Sequence, residues 1–131
     1  MILDRAALDA AISHAREAAP AECCGVLLGS DEVVTEARRT RNRAIDQNRF
    51  LIDPEDHIDA RREARARGLA VVGFYHSHPH SAPVPSPTDL EEASYPDHLY
   101  LIVGLSGDEP DARLYRLEAG RFLELPLKLE L

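Results

Sequence analysis

Only two cysteines occur in this 131-residue chain, and they are sequence neighbours, Cys23 and Cys24. Adjacent cysteines cannot staple distant parts of a fold together, so a disulfide framework is excluded. No apolar run approaches the ~20 residues needed to span a bilayer, which removes a membrane from the expected surroundings. The opening stretch MILDRAALDAAISHA lacks the basic start and unbroken apolar core of a secretory signal, so the expected compartment is the cytoplasm. Positive charge is also in short supply. Against 23 Asp and Glu there are 15 Lys and Arg, a net charge of −8 that repels a phosphate backbone, so nucleic acid is not an expected partner. Length itself is limited: 131 residues suit one compact domain, here residues 1–131, with one hydrophobic core.

What is present reads as an α/β pattern. Asp4 can cap a helix whose apolar residues Leu8, Ala11, Ile12, Ala15 and Ala19 recur at helical spacing until Pro20 stops it. Residues 23–28 and 32–38 read as a hairpin of one apolar and one more exposed strand, turning around Gly29, Ser30 and Asp31. A short strand is expected at 49–52. Asp53 as cap, Pro54 at the first helical position and Gly68 past the end then delimit a second, weakly amphipathic helix. The run Leu69 to Tyr75, LAVVGFY, is β-branched and aromatic, as a central strand covered on both faces requires. Further strands are expected at 98–104, 112–117 and 121–130, with Pro126 marking an edge or bulge. No repeat or linker interrupts the chain. Arginines gather at Arg38, Arg39, Arg41 and Arg43 and again at Arg61, Arg62, Arg65 and Arg67; a solvated face is the ordinary meaning of such groups, and docking of an acidic protein surface is the functional one.

The chemistry concentrates in HSHPHSAPVPSPTD, residues 76–89. In an extended chain residues i and i+2 point the same way, so His76 and His78 can present two imidazoles on one side of a strand end. Two such nitrogens and an oxygen of Asp89, returning across a proline-rich loop, can hold one zinc ion and leave a fourth position open for water, a catalytic rather than a closed structural arrangement. Two plainer readings compete. A histidine pair near a strand end is often only a polar surface feature, and SPTD is an ordinary helix start with Ser86 as cap, Pro87 first in the helix and Asp89 completing a capping box. His80 could join a three-histidine site, but Pro79 disturbs the alternation and ranks it as supporting or solvent-facing. His14, His57 and His98 have no comparable neighbours. The cysteines read as small buried fillers, with a nucleophilic thiol paired to a histidine as the alternative.

His76, Ser77 and His78, seven intervening residues, and then Ser86 and Asp89, with Glu22 upstream at the head of a strand, resemble the signature of the JAMM, or MPN-plus, metalloprotease family. The resemblance runs over most of the chain: an initial helix, a strand after the glutamate and a central strand leading into the histidines. It implies a mixed, largely antiparallel sheet flanked by helices, broadly like a cytidine deaminase. It further implies that His76, His78 and Asp89 are zinc ligands, that Glu22 is the general acid and base, and that Ser86 stabilises the oxyanion.

The implied activity is hydrolysis of peptide or isopeptide bonds after the C-terminal tail of a ubiquitin-like or sulfur-carrier protein. An extended tail could pair with the strand near 49–52. The chain lacks the long insertion after Asp89 with which large eukaryotic members grip ubiquitin, which favours the sulfur-carrier side. A homodimer is compatible, since relatives often pair and the leucine-rich end could supply an interface. The alternative is a catalytically silent MPN interaction module. A zinc deaminase is set aside because its Pro-Cys-x-x-Cys element is absent.

Overall fold

The computed structural model describes residues 2–30 and 32–130, apart from the side chain of Glu92. Its strands are β1 (Ile2–Asp4), β2 (Cys24–Ser30), β3 (Val33–Thr40), β4 (Ala70–His78), β5 (Leu99–Gly104), β6 (Asp111–Glu118), β7 (Arg121–Leu125) and β8 (Lys128–Glu130). The helices are α1 (Arg5–Ala18), α2 (Pro54–Ala66) and α3 (Pro87–Glu92). All eight strands join one sheet in the order β7-β6-β5-β4-β2-β3-β1-β8. Four ladders are antiparallel (β2 with β3, β2 with β4, β5 with β6, β6 with β7). Three are parallel (β1 with β3, β1 with β8, β4 with β5). The expected mixed, largely antiparallel sheet is what forms.

Where one core was expected, the sheet carries an apolar layer on each face. α1 starts at Asp4, whose Oδ1 accepts from the Ala6 N–H at 2.9 Å, and it buries Ala7, Leu8, Ala11 and Ala15. These pack with Leu3, Leu27, Val34, Tyr75, Leu99 and Leu101. On the other face α2 contributes only Ala60 and Ala64, against Val26, Leu28, Phe74, Tyr100 and Ile102. Period-2 alternation sorts the neighbours Leu27 and Leu28 to opposite layers, and each fully buried leucine contributes about 1.5–3 kcal/mol. The run LAVVGFY is central for this reason: β4 lies between β2 and β5 with apolar residues on both faces.

Three boundaries differ from expectation. Residues 49–52 are not a strand; a single antiparallel bridge, Asn42 to Ile52, is all that forms there. The segment 121–130 divides at Pro126 into β7 and β8, which sit at opposite edges of the sheet. β1 was missed, since three residues are too few to show a period; it runs parallel to β3 and β8. The β2–β3 hairpin forms as read, although Asp31 of its turn lies outside the described residues.

The arginines are largely occupied within the molecule. Arg38 pairs with Glu63 and Arg39 with Glu17. Arg41 and Arg43 reach Asp53 at 3.1 and 2.9 Å, while Arg67 bridges Glu36 and Glu63. Arg61 lies over the Tyr95 ring. Asp53, buried at the start of α2, also accepts from the Asp56 N–H, which gives that carboxylate the partners a buried charge requires.

Candidate metal centre

β4 ends in the two histidines, with β2 alongside as far as the Cys24–His76 pair and β5 to the end, where His76, Ser77 and His78 pair with Ile102, Val103 and Gly104. Phe74, His76 and His78 alternate onto the α2 face, and Tyr75 and Ser77 onto the α1 face. Ser77 fastens the mouth of β2. Its Oγ accepts from the Cys23 N–H at 2.9 Å, and its own N–H donates to the Cys23 carbonyl at 3.2 Å. Carrying the antiparallel register two residues past the Cys24–His76 pair sets Glu22 opposite His78. Glu22 is buried there, and its charge raises the pKa of that imidazole.

Beyond His78 the chain turns back. The His78 Nδ1–H donates to the Ala82 carbonyl at 2.9 Å, which leaves the Nε2 lone pair as the free face of the ring. His80 is exposed, as expected for a solvent-facing residue. Pro83 is buried, and its carbonyl accepts from the Tyr115 hydroxyl at 2.9 Å. The loop ends at α3, where the capping box expected from SPTD is complete. Ser86 Oγ accepts from the Asp89 N–H at 3.0 Å, and Asp89 Oδ2 accepts from the Ser86 N–H at 2.9 Å. This cap aims Asp89 Oδ2 at both imidazoles, so the plain reading of SPTD leaves Asp89 within the candidate metal centre.

Three atoms therefore converge. His76 Nε2 and His78 Nε2 lie 3.2 Å apart, His78 Nε2 and Asp89 Oδ2 3.1 Å, and His76 Nε2 and Asp89 Oδ2 3.3 Å. A tetrahedral zinc ion with bonds of ~2.0–2.1 Å holds its ligands roughly 3.3 Å from one another. The near-equilateral triangle matches one face of that tetrahedron. The donor chemistry points the same way, because neutral imidazole nitrogens and a carboxylate oxygen are all lone-pair bearers and face each other only around a cation or shared protons. All three residues are buried, at 2%, 6% and 8% exposure, and together they can hold one metal ion. With protons in the ion's place, burial opposes ionisation of Asp89, but hydrogen bonds from His76 and His78 outweigh it and hold the carboxyl far below its usual range. For His78, burial likewise opposes the charged form. Its bonds to Asp89 and the Ala82 carbonyl prevail and raise its pKa.

Neither cysteine joins this cluster. Cys23 packs on the α1 face, and Cys24 Sγ lies against Thr40 Oγ1 and the Arg41 carbonyl. Burial pushes their thiols up to about 11 and about 12, so the nucleophilic-thiol alternative loses both its geometry and its thiolate.

On the α2 side the cluster opens into a pocket of about 430 Å³ with His76 and Asp89 in its wall beside Phe50, His57, Tyr95 and Phe122. Phe50 stacks on His76 with ring centroids 4.3 Å apart. The sequence pointed to none of Phe50, His57, Tyr95 and Phe122, and His57 reads there as unrelated. They come from four separate segments with no common spacing, so nothing in the sequence groups them.

Residues 4–118 match the family described as prokaryotic homologs of the JAB domain. The chain belongs to that family. Among curated relatives, it is 41% identical to the desampylase of Haloferax volcanii, over 95% of this chain and 92% of the relative. To the CysO-cysteine peptidase of Mycobacterium tuberculosis it is 28% identical, over 93% of this chain and 86% of the relative. A solution structure of a Desulfitobacterium hafniense protein superposes on this JAB-family chain with a TM-score of 0.91 at 28% identity, covering 99% of this chain and 93% of that one. These matches put the chain among the small prokaryotic members of the JAMM/MPN group whose signature its residues resemble. Among the described residues, no helix is long and apolar enough to cross a membrane.

Proposed function

We propose that residues 1–131 form one JAMM-type domain that works in the cytoplasm as a zinc-dependent peptidase and isopeptidase, hydrolysing the bond after the C-terminal tail of a ubiquitin-like or sulfur-carrier protein. The observation that carries this reading is the triangle of His76, His78 and Asp89 donor atoms, spaced 3.1–3.3 Å, in a chain similar to a desampylase and a CysO-cysteine peptidase. A silent interaction module would have no need of a complete buried ligand set.

His76, His78 and Asp89 would hold the ion. Zinc in such a site supplies Lewis acidity and a hydroxide-like nucleophile near neutral pH, by lowering the pKa of water from 15.7 to about 7. Glu22, opposite His78, takes the proton of the attacking water and returns it to the leaving amine. Ser86 keeps its hydroxyl hydrogen available, since its Oγ serves the cap as an acceptor, and donates it to the developing oxyanion. The Ala82 carbonyl holds His78 in the tautomer that frees Nε2. The apolar pocket beside His76 excludes water from one side of the reacting bond and receives part of the substrate there. The tail would lie against the exposed side chain of Leu51, in the wall of the pocket that adjoins His76. A second copy of the chain is the expected further partner, at the sheet edges where Leu123 and Leu129 are exposed.

Zinc-loaded protein should cleave an amide-linked adduct at a carrier's C-terminal tail, read by mass spectrometry, and lose that activity to a chelator. Glu22→Gln should keep its zinc and lose turnover. Cleavage that survives zinc removal would overturn the reading, and zinc lost with Glu22→Gln would make Glu22 a ligand instead.

A further inference from the structure

Asn42 lies outside the signature, yet its carboxamide uses its full hydrogen-bonding capacity. Nδ2 donates to the carbonyls of Glu22 and Arg49, each at 3.1 Å. Oδ1 accepts from the N–H groups of Ala44 at 3.0 Å and Leu51 at 2.9 Å. An amide offers two donors and two acceptor lone pairs, and here all four are engaged. The partners are two carbonyls and two N–H groups, so only one orientation of the amide serves them.

The consequence reaches Glu22 and His76. The segment 43–51 folds around Asn42 and closes with the Arg43 N–H on the Leu51 carbonyl at 2.8 Å. It then holds Glu22 from both ends of the residue: the Glu22 N–H donates to the Gln47 carbonyl at 3.1 Å, and the Glu22 carbonyl accepts from Asn42 Nδ2. The same segment lays Phe50 over His76. Glu22 itself lies before β2 begins, so no sheet ladder fixes its backbone.

We propose that Asn42 is a positioning residue that sets the reach of Glu22 toward the ligand cluster and seats Phe50 on His76, without touching metal or substrate. This rests on the reading of Glu22 as the proton carrier. An aspartate at position 42 would keep both acceptor bonds, to Ala44 and Leu51, but would turn a carboxylate oxygen toward the Glu22 and Arg49 carbonyls. It therefore removes the ties to Glu22 and Arg49 while keeping the two acceptor bonds of the turn.

The test measures kcat, KM and bound zinc for Asn42→Asp and Asn42→Ala, alone and combined with Glu22→Gln, on a carrier-tail amide adduct, with rates expressed per bound zinc. A positioning error of about 1 Å costs on the order of 10²-fold in rate. The expected result is a kcat fall of that order with KM and zinc content held, and no further fall when the Glu22→Gln background already lacks the proton carrier. An unchanged kcat per bound zinc in both single variants would overturn the proposal, and so would a full additional loss in the Glu22→Gln background, the mark of a purely structural role. Undiminished turnover by Glu22→Gln alone would remove the reading of Glu22 on which the proposal rests. If Asn42→Ala does not fold, Asn42→Asp decides.

Discussion

Zinc should stabilise this fold by an amount that shrinks sharply with one atom change. The three donor atoms are already 3.1–3.3 Å apart in buried positions, so binding requires little rearrangement and favours the folded state. Zinc held at 100 times its Kd contributes about 2.7 kcal/mol to folding by mass action. Unfolding entropy of ~2.1 cal/mol/K per residue over 131 residues amounts to roughly 0.28 kcal/mol/K, so the melting temperature should rise by about 10 °C. Asp89 Oδ2 both accepts from the Ser86 N–H and faces the two imidazoles, so Asp89→Asn with its amide oxygen in that place keeps α3 capped but offers zinc a neutral oxygen in place of an anionic one. The zinc-dependent shift should shrink sharply. Scanning calorimetry of wild type and variant, each with chelator and with graded zinc, reads both numbers. A wild-type shift of nil, or an equal shift in Asp89→Asn, would refute the placement of the ion.

Three further outcomes follow from the same geometry. With thiols pushed to about 11 and about 12, thiolate amounts to roughly one part in a thousand and one in ten thousand at pH 8, so iodoacetamide should leave both cysteines of the native protein unmodified and its activity intact; stoichiometric labelling with inactivation would restore thiol chemistry. Gly73→Ala would drive a Cβ into the Leu99 carbonyl oxygen across the β4–β5 ladder, and should cost about 1–3 kcal/mol or more as a lowered urea midpoint; an unaltered midpoint would mean that the strands part freely. In metal-free protein the raised pKa of His78 contributes stability that is complete below about 6.5 and is lost as pH rises through the folded value. The depressed pKa of Asp89 contributes above about 3.9 and fails only in strong acid. Chelated protein should therefore be more stable at pH 5.5 than at pH 8.5. Zinc-loaded protein should show the reverse, since the ion needs unprotonated imidazoles. Urea titrations at the two pH values check both signs.

The centre was legible where it is local. His76 and His78 share a face because a strand alternates, and SPTD specifies a cap whatever else it does, so five of the six signature residues lie in one fourteen-residue stretch. Glu22 is 54 residues before His76, and no spacing rule ties them; it lies two residues ahead of Cys24, where the β2–β4 ladder ends on His76, and before the structure only family resemblance could supply that. Asn42 and Phe50 were not legible. A side chain that folds a loop around itself leaves no period in the sequence, and the apolar triplet Phe50, Leu51 and Ile52 imitates a strand while its neighbouring carbonyls and N–H groups serve Asn42. β8 was concealed for a similar reason: the leucine alternation runs on through Pro126, although the chain crosses there from one edge of the sheet to the other.

X-ray absorption at the zinc edge of the loaded protein addresses the central claim most directly. The account expects a first shell of nitrogen and oxygen at ~2.0–2.1 Å carrying the outer-shell signature of two imidazoles, with one of the two lost in His78→Ala. A sulfur shell at ~2.3 Å, or an imidazole count unchanged in that variant, would contradict it.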